Sequence, residues 1–131
     1  MLTNLSIRNI VLIEKLDLEF SSGLTVLTGE TGAGKSILLD ALGLALGSRA
    51  DFSLVRAGET SAQVTAIFFI IPEHPVRSIL LEAGIPIEKE LILKRQLRQD
   101  RSPATINDEP VSVSLLRRCG DLLVEIQGQF E

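Results

Sequence analysis

Polar and apolar residues alternate in two stretches of the first twenty positions. In Leu2 to Ile10, Leu5 and Ile7 fall on one face; further on, Leu16, Leu18 and Phe20 alternate with Asp17 and Glu19. A period of two predicts strands, the second with one wet face. Ser21-Ser22-Gly23 then turns the chain into Leu24-Thr25-Val26-Leu27-Thr28, an apolar run of strand length. The period changes after that. Ile37, Leu38, Leu39, Ala41, Leu42, Leu44, Ala45 and Leu46 cover nearly the whole circumference of a helix. Such a helix packs between layers. It is expected to begin at about Lys35 and to end at Gly47, in the left-handed conformation that glycine favours.

The second half reads as further alternation broken by turns. Ser48 to Thr60 is polar and predicts a surface loop. Ala62 to Ile71 predicts a strand closed by Pro72, and Pro75 to Ala83 a short helix stopped by Gly84. Glu90 to Arg98 predicts a strand carrying Lys94, Arg95 and Arg98 on a wet face. After the turn Gln99 to Pro103, Ala104 to Asn107 returns antiparallel to it. Val113 to Arg118 predicts a brief helix and Leu122 to Ile126 a last apolar strand. The sum is an α/β domain, a mixed sheet around one central helix with a sizeable antiparallel portion.

Composition narrows the functions. A chain of 131 residues, 45% hydrophobic, is long enough to bury a core as one domain. With five Phe and neither Tyr nor Trp it has little material for stacking bases, and a net charge of −4 gives no global attraction to nucleic acid. Cys119 stands alone and reads as a small buried apolar residue, compatible with a reducing cytoplasm. His74, between Glu73 and Pro75, reads as a surface histidine in a turn. No segment has the length of a membrane span, and the N-terminus lacks signal-peptide character.

The chemistry concentrates in GETGAGKS, Gly29 to Ser36, which fits the phosphate-loop pattern G-x-x-x-x-G-K-[ST] between an expected strand and an expected helix. Triphosphate oxygens are held by main-chain N–H groups converging on one hollow. Close approach of that backbone explains Gly29, Gly32 and Gly34, with Glu30, Thr31 and Ala33 contributing amides between them. The helix start, Lys35 to Ile37, adds unpaired N–H groups and the positive end of its dipole. Lys35 is placed to reach the β- and γ-phosphates of ATP, and the Ser36 hydroxyl to reach Mg²⁺.

Hydrolysis needs more. A second carboxylate for the metal usually ends an apolar strand as Asp-Glu, and no such run occurs. Glu125 and Glu73 are the nearest acids; both read as structural surface acids. The chain reads as half of an ATPase site.

Three blocks carry a resemblance: LTNLSIRNIVLIEKLDLEF, GLTVLTGETGAGKSILLDALGLALGSRAD and RSPATINDEPVSVSLLRRCGDLLVEIQGQFE. Together they resemble the N-terminal part of the RecN family of bacterial DNA repair proteins, relatives of the SMC ATPases. The resemblance implies a split ATPase head whose N-terminal half is residues 1–131. A coiled coil and a C-terminal half carrying the acidic strand would complete it. It implies ATP-driven engagement of two heads, DNA as the substrate of the whole protein, and a cytoplasmic, nucleoid-associated location without membrane. Gln129 matches the glutamine-loop position that serves Mg²⁺ and the attacking water, although Gln127 and Phe130 stand where relatives often carry histidines. Arg8 and Asn9 match first-strand positions near the phosphates; alone they read equally as a polar strand end. Arg56 or Arg49 is the candidate for an arginine directed at nucleotide or DNA. The run Lys94, Arg95, Arg98 and Arg101 reads first as a wet sheet face and second as a DNA contact.

Two other classes of function remain compatible with the motif. One is a self-sufficient small kinase. The other is a non-hydrolysing module whose assembly is switched by nucleotide.

Overall fold

The computed structural model describes residues 1–20 and 32–127, and of residues 32–35 and 125–127 only the backbone. Six strands and three helices lie within these bounds. They are β1 (Leu2–Ile10), β2 (Ile13–Glu19), α1 (Gly32–Ala45), β3 (Ser61–Phe69), α2 (Val76–Glu82), β4 (Glu90–Arg98), β5 (Ala104–Ile106), β6 (Glu109–Val111) and α3 (Val113–Gln127). The strands form one sheet in the order β2-β1-β3-β4-β5-β6, and every described pairing is antiparallel. The expected strand at Leu24 to Thr28 lies outside the described residues.

Alternation fixes the two faces. Leu5 and Ile7 of β1, Val64, Ala66 and Phe68 of β3, and Leu91, Leu93 and Leu97 of β4 are buried beneath the helices. Their sequence neighbours Ser6, Arg8, Gln63, Thr65, Lys94 and Gln96 occupy the opposite, wetter face, as the pleat requires. α1 crosses β3 and touches β1 and β4 on either side. Its Ala41, Leu42, Leu44 and Ala45 are buried and Asp40 is exposed, so the apolar girdle seen in the sequence has one open side. α2 follows Pro75 and ends before Gly84, whose φ of 75° stops the helix as expected.

Four expectations are corrected. The segment Leu122 to Ile126 is not a strand but the last turns of α3. Leu116, Cys119, Gly120 and Leu123 are buried at helical spacing, and a short apolar run fits either period when read alone. β6 was not among the expected strands; it contains Pro110, which is tolerated because β6 is the edge of the sheet. His74 is buried, and its Nδ1 accepts the Val76 N–H at 3.1 Å at the start of α2. Arg95 does not share the wet face with Lys94 and Arg98 but lies in the core at 2% exposure.

α1 ends in a Schellman motif. The Ser48 N–H donates to Gly43 O at 2.9 Å and the Gly47 N–H to Leu44 O at 3.1 Å, with Gly47 at φ 102°. α3 packs against this end at backbone distance. A Cβ on Gly120 would collide with the Leu46 carbonyl, and one on Gly47 with the Arg117 backbone.

Candidate nucleotide site

α1 starts at Gly32, three residues before the expected Lys35. The last residues of the phosphate motif are therefore its first turn. The first four N–H groups of a helix have no partner within it, so this turn offers donors and a partial positive charge in one place. Ser36, one residue further, is exposed, and Ile37 is half-buried against the core. The helix thus carries an anchored apolar side and leaves the Ser36 hydroxyl accessible. Gly29, Glu30, Thr31 and Gln129 lie outside the described residues. Gly32, Ala33, Gly34 and Lys35 are placed by backbone alone.

Arg8 projects from the face of the sheet opposite α1. Its Nη1 donates to Asp17 Oδ1 at 2.9 Å and to Ile7 O at 2.9 Å, and Nη2 reaches Asp17 Oδ2 at 3.3 Å. The hydrogen bond from Arg8, and secondarily one from Ser6, holds the Asp17 carboxyl below the usual carboxylate range. Both partners are open to solvent, whose screening leaves this pair a minor contribution to stability.

Asn9 lies where the backbone bends. It has φ 57°, and Val11, two residues on, has φ 50°, a conformation rare for a β-branched residue. The loop after α1 docks here. The Val11 N–H donates to Leu54 O at 2.7 Å and the Arg56 N–H to Asn9 O at 2.9 Å, around a bridge between Ile10 and Val55. Asn9 and Arg56, both suggested by the resemblance, are thereby brought together through their main chains. The Arg56 guanidinium has a loose contact with Glu59 at 3.9 Å. Arg49 is exposed beyond the C-terminal end of α1, where it lines a groove of about 600 Å³ with Arg117, Gly120 and Asp121. The two candidate arginines therefore occupy different surroundings.

The sequence reading missed Arg95. Its Nε donates to Ser102 Oγ at 2.7 Å, and its Nη1 to Leu44 O at 3.0 Å and Ser48 O at 2.8 Å. Burial lowers its pKa from the ordinary arginine value, and no described carboxylate pairs with it. A signal existed. Leu91, Leu93, Arg95 and Leu97 share one parity of β4, so alternation assigned Arg95 to the apolar face. The charge of its neighbours outweighed that parity. Cys119 is buried as expected, and desolvation pushes its thiol up to about 11, leaving it inert.

Among the described residues no cluster of His, Cys, Asp and Glu has metal-site geometry, and no helix is long and apolar enough to cross a membrane.

A helix opening inside a phosphate motif and crossing an antiparallel sheet defines the class. The AAA domain family model matches residues 4–108, and the chain belongs to that family. Its fold is that of SMC-type ATPase heads. A structure from work on ATP-driven dimerization and DNA-stimulated activation of SMC ATPases superposes with a TM-score of 0.69 at 23% identity, over 92% of this chain and 78% of that one. The recombination mediator RecF, in its ATPγS-bound structure, gives a TM-score of 0.64 at 19% identity, over 88% and 29% of the respective chains. More particularly, the sequence is similar to the N-terminal portion of DNA repair protein RecN. Identity is 48% to the protein of Vibrio cholerae, over 98% of this chain and 24% of that protein. It is 42% to that of Bacillus subtilis, over 100% and 23%. The chain thus spans about a quarter of the length of these relatives.

Proposed function

We propose that this chain is the nucleotide-binding segment of a RecN-like ATPase head that binds Mg·ATP and acts, in the whole protein, in recombinational repair of DNA double-strand breaks. The observation that carries the reading is the phosphate motif running directly into the first turn of α1, with the sheet packed behind that helix.

The residue types fit an anionic ligand. In this reading the main-chain N–H groups of Gly29 to Ile37 would donate to phosphate oxygens and the Lys35 ammonium would add positive charge at the γ-phosphate. The exposed Ser36 hydroxyl and Gln129 are hard oxygen donors suited to Mg²⁺, which, when bound, neutralises phosphate charge. Asn9 and Arg56 are proposed to flank the nucleotide from the end of β1; Arg8, paired with Asp17 on the face of the sheet opposite α1, is not placed with them. In this reading the carboxylate and the partner surface are assigned to the C-terminal half of the head and to a second head of a whole RecN-like protein, of whose length this chain spans about a quarter. The isolated segment is expected to bind nucleotide without turning it over. Hydrolysis would appear on adding the C-terminal half, an outcome that separates this reading from both a self-sufficient kinase and a pure switch.

Lys35→Ala tests the assignment. It is expected to weaken binding of a fluorescent ATP analogue by at least about tenfold, the scale of one lost charge-assisted contact. Unchanged affinity in a folded variant would overturn the reading.

A further inference from the structure

Arg95 is a charged residue in a layer that is otherwise apolar. In the pairing of β3, β4 and β5 it stands opposite Val64 and Ala104. At 2% exposure it has no carboxylate partner among the described residues. A buried unpaired guanidinium is costly, and a hydrophobic residue of similar volume is often as stable or more so. Packing alone therefore does not account for it.

Its partners do. Nη1 divides between Leu44 O in the last turn of α1 and Ser48 O just beyond the Schellman turn. Nε is held by Ser102 Oγ, and the Ser102 hydroxyl donates in turn to Gln96 O. The carbonyl end of a helix dipole supplies the negative potential that a carboxylate would otherwise supply. The result is a rigid strut from the β4–β5 turn to the C-terminal end of α1. The opposite end of that helix is the phosphate motif.

We propose that Arg95 is a positioning residue for nucleotide binding, fixing the far end of α1 so that its N-terminal amides meet the phosphates in register. The inference rests on the nucleotide reading above. A helix of 14 residues is a lever about 21 Å long. Without the Arg95 bonds that end is held only by its packing on the sheet and on α3, and a displacement of about 1 Å at the amide end is enough to spoil several hydrogen bonds to an anion at once. The forked guanidinium is needed because it bonds two carbonyls and a hydroxyl in different directions, which a lysine ammonium on its flexible stem does not reproduce.

Arg95→Met, Arg95→Lys and Ser102→Ala test this, each titrated with the fluorescent ATP analogue well below its melting temperature, beside wild type and Lys35→Ala. The expected losses are about tenfold for Arg95→Met and about threefold for the other two, in chains whose circular dichroism and cooperative melting match wild type. A role in stability alone would move the melting temperature and leave affinity in the folded state unchanged. Should Arg95→Met fail to fold, Arg95→Lys and Ser102→Ala carry the test. Wild-type affinity in every folded variant overturns the proposal. If Lys35→Ala loses binding while the Arg95 variants do not, only this inference fails; if Lys35→Ala also binds normally, the nucleotide reading fails with it.

Discussion

His74 shows how one residue changes meaning between sequence and fold. It accepts a main-chain N–H through Nδ1, which requires that nitrogen to be unprotonated. Burial first, then the charges of the amino terminus and Arg77, lower its pKa from the ordinary histidine value. The unfolded chain therefore takes up the proton first as pH falls. The stabilisation is complete above about pH 6.5 and is lost as pH drops through the lower folded value. Urea melts at pH 7.5 and 5 are expected to show the loss in wild type and a flatter slope in His74→Asn, whose side-chain oxygen accepts the same N–H at either pH. Asp17 has the same direction for a different reason. Its carboxyl is lowered by the Arg8 hydrogen bond, so its contribution is present above about pH 4 and lost in stronger acid. Replacing Asp17 by Asn should change stability slightly at pH 7 and not at all at pH 2, measured by the same melts.

The meeting of α1 and α3 is where the elements are least tolerant. Backbone approaches backbone at Gly120 and Leu46, so Gly120→Ala gains helix propensity of roughly 1 kcal/mol but forces the helices apart. The clash dominates, and a net loss of about 2–3 kcal/mol is expected in thermal or urea melts, as for other overpacked sites. Gly120 is also where the sequence misled. The expected helix stopped at Arg118 and the expected strand began at Leu122, with Gly120 between them, whereas the glycine is an interhelical contact inside one continuous helix. Where alternation ran for seven residues or more, as in β3 and β4, the elements were legible to within a residue or two. Such runs bury a whole face and admit one register. What stayed hidden depended on tertiary partners: the edge position that admits Pro110, the helix that covers Arg95, and the helix start that His74 serves.

At the scale of the whole molecule, the sheet and α1 form a scaffold, with the phosphate motif at the start of the helix and a braced end at Gly43 to Ser48. The candidate site was legible as chemistry, because the spacing of Gly29, Gly34, Lys35 and Ser36 is set by phosphate geometry rather than by this fold. The docking of Arg56 onto Asn9 was not, since it is made by the path of the loop after α1. The main-chain amides around Lys35 are the proposed seat of a polyphosphate. An NMR titration of the isotope-labelled chain with Mg·ATP measures those amides one by one. Saturable shifts centred on Gly29 to Ile37, absent with adenosine, are the expected result. Unmoved amides throughout that segment at saturating nucleotide, or shifts confined to another part of the surface, would contradict it.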